Sequence, residues 1–169
     1  MQKKTLKNYL TAVLMAAGLV LLDQLTKRWA ASALAEKPIE LIPGVFSFQY
    51  LENHGAAFGI LQNQRWFFLV LTGVFMAAMV FAYYKLPGGR RHFPLRILCV
   101  TVLAGALGNF IDRVSYGYVR DFLYFKLIDF PIFNVADIYV TLSALAFIIL
   151  FLFVYKDEDF RFRKKTARP

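Results

Sequence analysis

The chain has 169 residues, 59% of them hydrophobic, and a mean hydropathy of +0.50. This composition is too apolar for an ordinary soluble domain of that length and predicts one membrane-embedded domain over residues 1–169. Lys and Arg outnumber Asp and Glu by 20 to 11, but their placement beside apolar segments argues against a nucleic-acid partner.

Four apolar segments are long enough for membrane-spanning helices, which need about 20 mostly apolar residues. In chain order they cover residues of about 9–31, 66–84, 95–113 and 137–155. The third contains a shorter apolar run that can be extended at either end. An even number of spans places both termini on one side. The predicted fold class is therefore an all-α polytopic membrane protein with four transmembrane helices.

The beginning of the chain has an alternative interpretation as a cleaved secretory signal, because a basic start and an apolar run precede Ala33-x-Ala35. Asp23, Lys27 and Arg28 lie between the apolar run and that site, which fits a cleavage region poorly. We therefore expect the first span to be retained.

Basic residues mark one side of the membrane. Thirteen of the twenty Lys and Arg residues flank the start of the first span, the connection between the second and third spans, and the end of the fourth. The positive-inside rule makes this side cytoplasmic and leaves residues of about 32–65 and 113–136 outside. The basic tail from Lys156 to Arg168 is then expected to lie against anionic membrane lipid.

The outer segment from about Ile39 to Leu61 is rich in β-forming residues around a Pro43-Gly44 turn and predicts a small β-rich cradle. An ordinary loop is the alternative. The Gly-rich stretch that follows, Asn53 to Gly59, includes Ala56, Ala57 and Phe58 and fits a flexible lip or a closely packed turn equally well.

Four carboxylates converge on the outer ends of the spans. Asp23 lies late in the first span, Asp112 ends the third, Asp137 opens the fourth, and Asp121 lies in the connection between the last two. Acidic groups at such positions are costly unless they are buried in protein or wetted. Their convergence at one depth predicts a chemical site there.

Two Asn-x-x-Asp units sharpen this prediction, since Asn109 precedes Asp112 and Asn134 precedes Asp137 by three residues. Groups three apart share a helix face, and an amide can hydrogen-bond and orient a carboxylate. Helix capping is the alternative for the second unit, but it does not account for Asn109.

The helix faces around these units carry further signals. Gly105, Gly108 and Asn109 predict close helix packing on one side of the third span. Asp23 and Lys27 are spaced as an i,i+4 ion pair, which we interpret as structural.

Nucleophilic and metal-dependent chemistries lack their parts in this sequence. Ser143 and Thr141 have no histidine near them in the topology, and His54 and His92 fall on opposite sides of the membrane. We expect no metal and no cofactor. Two carboxylates that share a proton can instead activate water directly.

Topology alone leaves six possible pairings of the four acids. Arg113, next to Asp112, could pair with a carboxylate or extend to the lipid headgroups. Pairing would keep Asp112 charged, which suits a supporting acid. This favours Asp121 and Asp137 as the pair that shares a proton.

Five segments together resemble the motif set of the lipoprotein signal peptidase family, also called signal peptidase II. They are Asp23 to Lys27, Asn53 to Phe58, Gly105 to Arg113, Val119 to Phe122 and Phe133 to Asp137. The resemblance spans nearly the whole chain, and one departure is Ala104, where many members have glycine.

The resemblance implies a bacterial inner-membrane aspartyl endopeptidase with Asp121 and Asp137 as its catalytic pair. The expected supporting residues are Asp23, Lys27, Asn53, Gly108, Asn109, Asp112, Arg113, Asn134 and Ala136. Members cut the signal peptide from diacylglyceryl-modified prolipoproteins, just before the lipidated cysteine, at the outer face of the cytoplasmic membrane. The expected state is a monomer.

Two rival hypotheses from other classes are a proton-coupled carrier and a non-catalytic membrane scaffold. A carrier needs a path from both sides, whereas the cytoplasmic halves of the spans look uniformly apolar. A scaffold predicts that the acids are dispensable.

Overall fold

The computed structural model describes residues 4–55, 61–156 and 159. The predicted lip residues Ala56, Ala57 and Phe58, and the basic tail after Lys156 apart from residue 159, lie outside the described residues.

Four long helices form the body of the molecule. They are α1 (Leu6–Ala33), α2 (Arg65–Lys85), α3 (Phe93–Ser115) and α4 (Val135–Phe153). Each is long and apolar enough to cross a membrane. The predicted fold class is confirmed, and the helix ends differ from the predicted span limits by no more than three residues.

The central helix is α3, which packs against the other three. A Cβ atom on Gly105 would lie 2.6 Å from the Ala136 carbonyl oxygen and 2.9 Å from Cγ2 of Val140. A Cβ atom on Gly108 would overlap the carboxylate of Asp23. Both glycines therefore let α1 and α4 approach the α3 backbone, which confirms the predicted close packing.

A three-stranded antiparallel sheet covers one end of the bundle, with β1 (Ile39–Ile42), β2 (Phe46–Asn53) and β3 (Val119–Phe125) in the order β1-β2-β3. Gly44 takes a positive φ of 72° in the first turn, a conformation that favours glycine. The cradle prediction is confirmed for β1 and β2. The third strand was not predicted, because we treated residues 113–136 as a plain connection.

The sheet is anchored to the end of α1 by a small apolar core. Ala30, Leu34 and Phe122 are buried there, and the ring centroids of Trp29 and Phe48 are 5.3 Å apart. β2 pairs with β3 in a register that sets Leu51 opposite Asp121. This packing fixes the strand that carries Asp121 above the ends of α3 and α4.

Candidate active site

The four aspartates that the sequence placed at one depth belong to a single hydrogen-bond network. Asp23 comes from α1, Asp112 from the end of α3, Asp121 from β3 and Asp137 from the first turn of α4. Asp23, Asp112 and Asp121 are at most 2% exposed. The predicted convergence is confirmed, and the partners of the acids divide them into two pairs.

Asp121 is held by amide side chains on both carboxylate oxygens. The Nδ2 atom of Asn134 donates to Oδ1 at 2.6 Å, and the Nδ2 atom of Asn53 donates to Oδ2 at 2.9 Å. Burial, followed by the nearby charge of Asp137, raises the pKa of Asp121 to about 7. This carboxyl group can therefore hold a proton near neutral pH.

Asp137 is also held by neutral donors. The Nδ2 atom of Asn109 donates to its Oδ1 at 2.8 Å, and the backbone N–H of Asn134 donates to its Oδ2 at 3.0 Å. Within the described residues, neither Asp137 nor Asp121 forms an ion pair with Lys or Arg.

Asn134 joins these two acids and also begins α4. It is the N-cap residue, and its Oδ1 accepts a hydrogen bond from the backbone N–H of Asp137 at 3.1 Å. Its Nδ2 donates to Asp121 and also to Oδ1 of Asn109 at 3.1 Å. Asn134 therefore caps α4 and also contacts Asp121, and its supporting role in the site stays a prediction.

Asp112 is surrounded by cations. The guanidinium of Arg120 donates to Oδ1 at 2.7 Å and to Oδ2 at 3.1 Å, and the backbone N–H of Arg120 donates to Oδ2 at 3.0 Å. Lys27 Nζ lies 3.7 Å from Oδ2. Because Arg120 directly precedes Asp121, this clamp fixes the strand at the residue before Asp121.

Asp23 forms the predicted pair with Lys27, at 2.9 Å, and both side chains are fully buried. Its Oδ1 accepts a hydrogen bond from the backbone N–H of Ala136 at 3.0 Å, which ties α1 to the start of α4. Lys27 also donates to Oδ1 of Asn109 at 2.8 Å. Lys27 thus connects the charged pair of acids to an amide that holds Asp137.

Two details of the sequence prediction are wrong. Asn109 bonds Asp137 on the neighbouring helix and not Asp112 on its own helix. Arg113 does not neutralise Asp112; its Nη2 donates to the carbonyl of Gly55 at 3.0 Å, and its guanidinium lies 4.7 Å from the ring centroid of Phe68.

Sequence reasoning missed Arg120 and Gln24. The Nε2 atom of Gln24 lies 3.1 Å from Oδ2 of Asp23 and from Oδ1 of Asp112, and its Oε1 accepts from Arg120 at 2.9 Å. Arg120 lies next to Asp121 in the sequence, but the strand that carries both was not predicted. Gln24 gave no comparable signal.

A cavity of about 450 Å³ opens beside the acids. Its polar wall contains Asn53, Asn109, Arg113, Asp121 and Asp137. Its apolar wall is formed by the segment before α4 and by α4 itself, including Phe130, Ile132, Phe133, Ile138 and Leu142. The cavity can thus bind a chain that is both peptidic and apolar, with its backbone beside two carboxylates.

The described part of the chain contains no group of three or more His, Cys, Asp or Glu side chains arranged to hold a metal ion. The oxygens of the four aspartates accept hydrogen bonds from amide, guanidinium and ammonium donors in place of a shared ion.

Comparisons with known proteins identify the family of the chain. Residues 15–153 match the family described as signal peptidase (SPase) II. The lipoprotein signal peptidase of Streptococcus thermophilus is 43% identical over 143 residues, covering 84% of this chain and 90% of the relative. That of Streptococcus pyogenes serotype M1 is 40% identical, covering 84% and 91%.

Two solved structures share the fold. A bacterial membrane enzyme determined by the in meso method at 2.3 Å resolution superposes with a TM-score of 0.77 at 32% identity, covering 100% of this chain and 99% of that one. A second, at 1.9 Å resolution, gives a TM-score of 0.76 at 34% identity, covering 92% and 99%.

Proposed function

The chain belongs to the signal peptidase II family, and we propose that Asp121 and Asp137 activate the water with which it cleaves its substrates. The family removes signal peptides from prolipoproteins, and the four apolar helices fit a multi-pass protein of the bacterial inner membrane. The aspartyl mechanism, the lipidated substrate and the orientation in the membrane are parts of the proposal.

The observation that carries the mechanism is the distribution of charge among the four acids. Asp23 and Asp112 contact Lys27 and Arg120, so two negative and two positive charges offset each other. Among the described residues, Asp121 and Asp137 accept hydrogen bonds from amide and backbone donors and form no ion pair, and they face the same cavity. Two nearby carboxylates that form no ion pair favour a state that holds one shared proton.

In that state the two carboxyl groups have different tasks. The ionised carboxylate removes a proton from a water molecule as the water attacks the scissile carbonyl carbon. The protonated carboxyl group donates a hydrogen bond to the carbonyl oxygen and stabilises the charge that develops there. Proton return to the leaving amine then restores the singly protonated pair.

The polar groups at the cavity rim would orient the substrate. Asn53 bonds Asp121 and also accepts a hydrogen bond from the backbone N–H of Gly55 at 3.0 Å. Arg113 holds the carbonyl of Gly55. These contacts keep Gly55 beside the carboxylates, at the edge of the cavity that would hold a bound peptide.

The substrate of the proposal is a prolipoprotein that carries diacylglycerol on the cysteine following the scissile bond. The apolar wall suits the hydrophobic signal peptide and the lipid chains, and the polar wall suits the peptide group to be cut. The basic residues lie at the bundle end away from the carboxylates. They predict that the basic end is cytoplasmic and that cleavage occurs at the outer face of the membrane.

The test is cleavage of a diacylglyceryl-modified prolipoprotein by the purified protein in detergent, with a chelator present. Wild type should cut before the modified cysteine, and Asp121→Asn or Asp137→Asn should lower the rate by at least ~10³-fold, within the range of general acid–base catalysis. Melting temperatures should show that both variants fold.

The matched control is Asp129→Asn, which makes the same chemical change at an exposed aspartate between β3 and α4. It should cut at the wild-type rate. Retained turnover in an Asp121→Asn/Asp137→Asn double variant would refute the aspartyl mechanism, and folded wild type that cuts no lipidated substrate would refute the proposed activity.

A further inference from the structure

The bundle end away from the active site contains a cavity between α1 and α3 of about 250 Å³. Its polar lining includes Lys7, Asn8 and Thr11 from the first turns of α1, and Arg96 from the beginning of α3. The proposed peptidase mechanism uses none of these residues.

Arg96 is a buried cation without a carboxylate partner among the described residues. It is 5% exposed, and its Nη1 donates to the backbone carbonyls of Pro87 and Gly89, at 2.5 and 3.1 Å. Carbonyl oxygens satisfy hydrogen bonds but supply no full negative charge. A buried guanidinium without a counter-charge is costly, so an anion in this cavity would be stabilised.

Other cations at this end add to the positive potential. Lys4 donates to the backbone carbonyls of Tyr83 and Tyr84, and burial together with the charge of Arg96 lowers the pKa of Lys4. Lys7 is exposed and forms no ion pair within the described ranges. Asp159, the one acid described at this end, is paired with Arg91 at 3.0 Å.

An entirely apolar cavity of about 240 Å³ adjoins the first, on the other side of Ala12. It lies between α1 and α2 and includes Val13, Ala16 and Val80. Ala12, Tyr83 and Val100 line both cavities. A cationic pocket that adjoins an apolar groove between membrane helices matches the order of groups in a phospholipid.

We propose that this end of the bundle binds one anionic phospholipid, with its headgroup phosphate between Arg96 and Lys7 and an acyl chain in the apolar groove at Ala12. The lipid neutralises the buried guanidinium and fills the gap between α1 and α2. This site is separate from the peptidase site and does not depend on the proposed cleavage activity.

The test is native mass spectrometry of the purified full-length protein titrated with phosphatidylglycerol or with phosphatidylcholine. Wild type should retain one phosphatidylglycerol with ~10-fold preference over phosphatidylcholine. Lys7→Gln should weaken phosphatidylglycerol binding by ~5-fold, the effect of about one basic residue near a lipid headgroup. Lys7 has no ion-pair partner among the described residues, so this variant should keep the wild-type melting temperature.

The control is Lys85→Gln, which removes the same charge from the same end of the bundle at an exposed position that lines neither cavity. Its affinity for phosphatidylglycerol should match that of wild type. A second variant, Ala12→Phe, fills the boundary between the cavities and should abolish the preference for phosphatidylglycerol over phosphatidylcholine. Equal binding of the two lipids by wild type, equal losses in Lys7→Gln and Lys85→Gln, or unchanged binding by folded Ala12→Phe would each overturn the proposal.

Discussion

Asp23 and Asp112 differ from Asp121 and Asp137 in the charge of their partners, although the four acids share one network. The first two contact Lys27 and Arg120. The second two contact asparagine amides and backbone N–H groups and face a cavity. One polar layer thus contains two acids with cationic partners and two acids with neutral donors, and the proposed mechanism assigns the shared proton to the second two.

The largest effect on stability should come from breaking the charged support. Asp112→Asn leaves the guanidinium of Arg120 buried without its carboxylate, and we expect a loss of about 3–5 kcal/mol in the free energy of unfolding. Denaturation in detergent, followed by circular dichroism, measures this loss.

The matched control for that variant is Glu40→Gln, which breaks the Lys126–Glu40 pair. That pair is equally short, at 2.7 Å, but both side chains are about half exposed. Exposed pairs contribute about 0–1 kcal/mol, so this variant should unfold nearly like wild type. Similar losses in the two variants would mean that the buried pair is not a support.

The effect of Asp121→Asn on stability should depend on pH. The folded-state pKa of Asp121 is raised to about 7, so the stability that its protonated form contributes is lost as pH rises from the unfolded value of 3.8 through about 7. The variant has no such loss. The free energy of unfolding of the variant, relative to that of wild type, should therefore be about 2 kcal/mol higher at pH 8 than at pH 5.

Thermal unfolding of the two proteins at pH 5 and pH 8 checks this prediction. Asp129→Asn provides the comparison for removing an exposed carboxylate on the same side of the bundle. A stability difference between Asp121→Asn and wild type that does not change with pH would contradict a raised pKa for Asp121.

The smallest effect should come from Gln24, which contacts only the charged pair and its neighbours. Gln24→Ala removes hydrogen bonds from Asp112 and Arg120, which stay bonded to each other, with an expected loss of about 0.5–1.5 kcal/mol in stability. The value of kcat should stay within ~3-fold of wild type, because no bond to Asp121 or Asp137 is removed. A large fall in kcat would show that the pair with cationic partners also contributes to catalysis.

The sequence predicted the layer of acids because topology alone determines which ends of the spans meet. It also predicted the Asp23–Lys27 pair, which lies within one helix and needs only the i,i+4 spacing. These features depend on local geometry and on span direction. Neither requires knowledge of how the helices are rotated against one another.

The partners across helices could not be predicted in this way. A spacing of three shows that Asn109 and Asp112 share a face, but the rotation of α3 against α4 decides that Asn109 bonds Asp137. Likewise, Arg113 is next to Asp112 in sequence, whereas the fold of β3 brings Arg120 to it. Tertiary packing selected the partners that sequence distance could not.

The position of Asn134 determines when the site is completed during synthesis of the chain. It caps α4, the last of the four helices to be synthesised, and it also bonds Asp121, while Asp137 belongs to the first turn of that helix. Under the proposed mechanism, a nascent chain with only three helices in place has one catalytic acid and lacks one of the two amides that hold it. The site is therefore completed only when the final helix packs, so an unfinished chain in the membrane cannot begin to cleave.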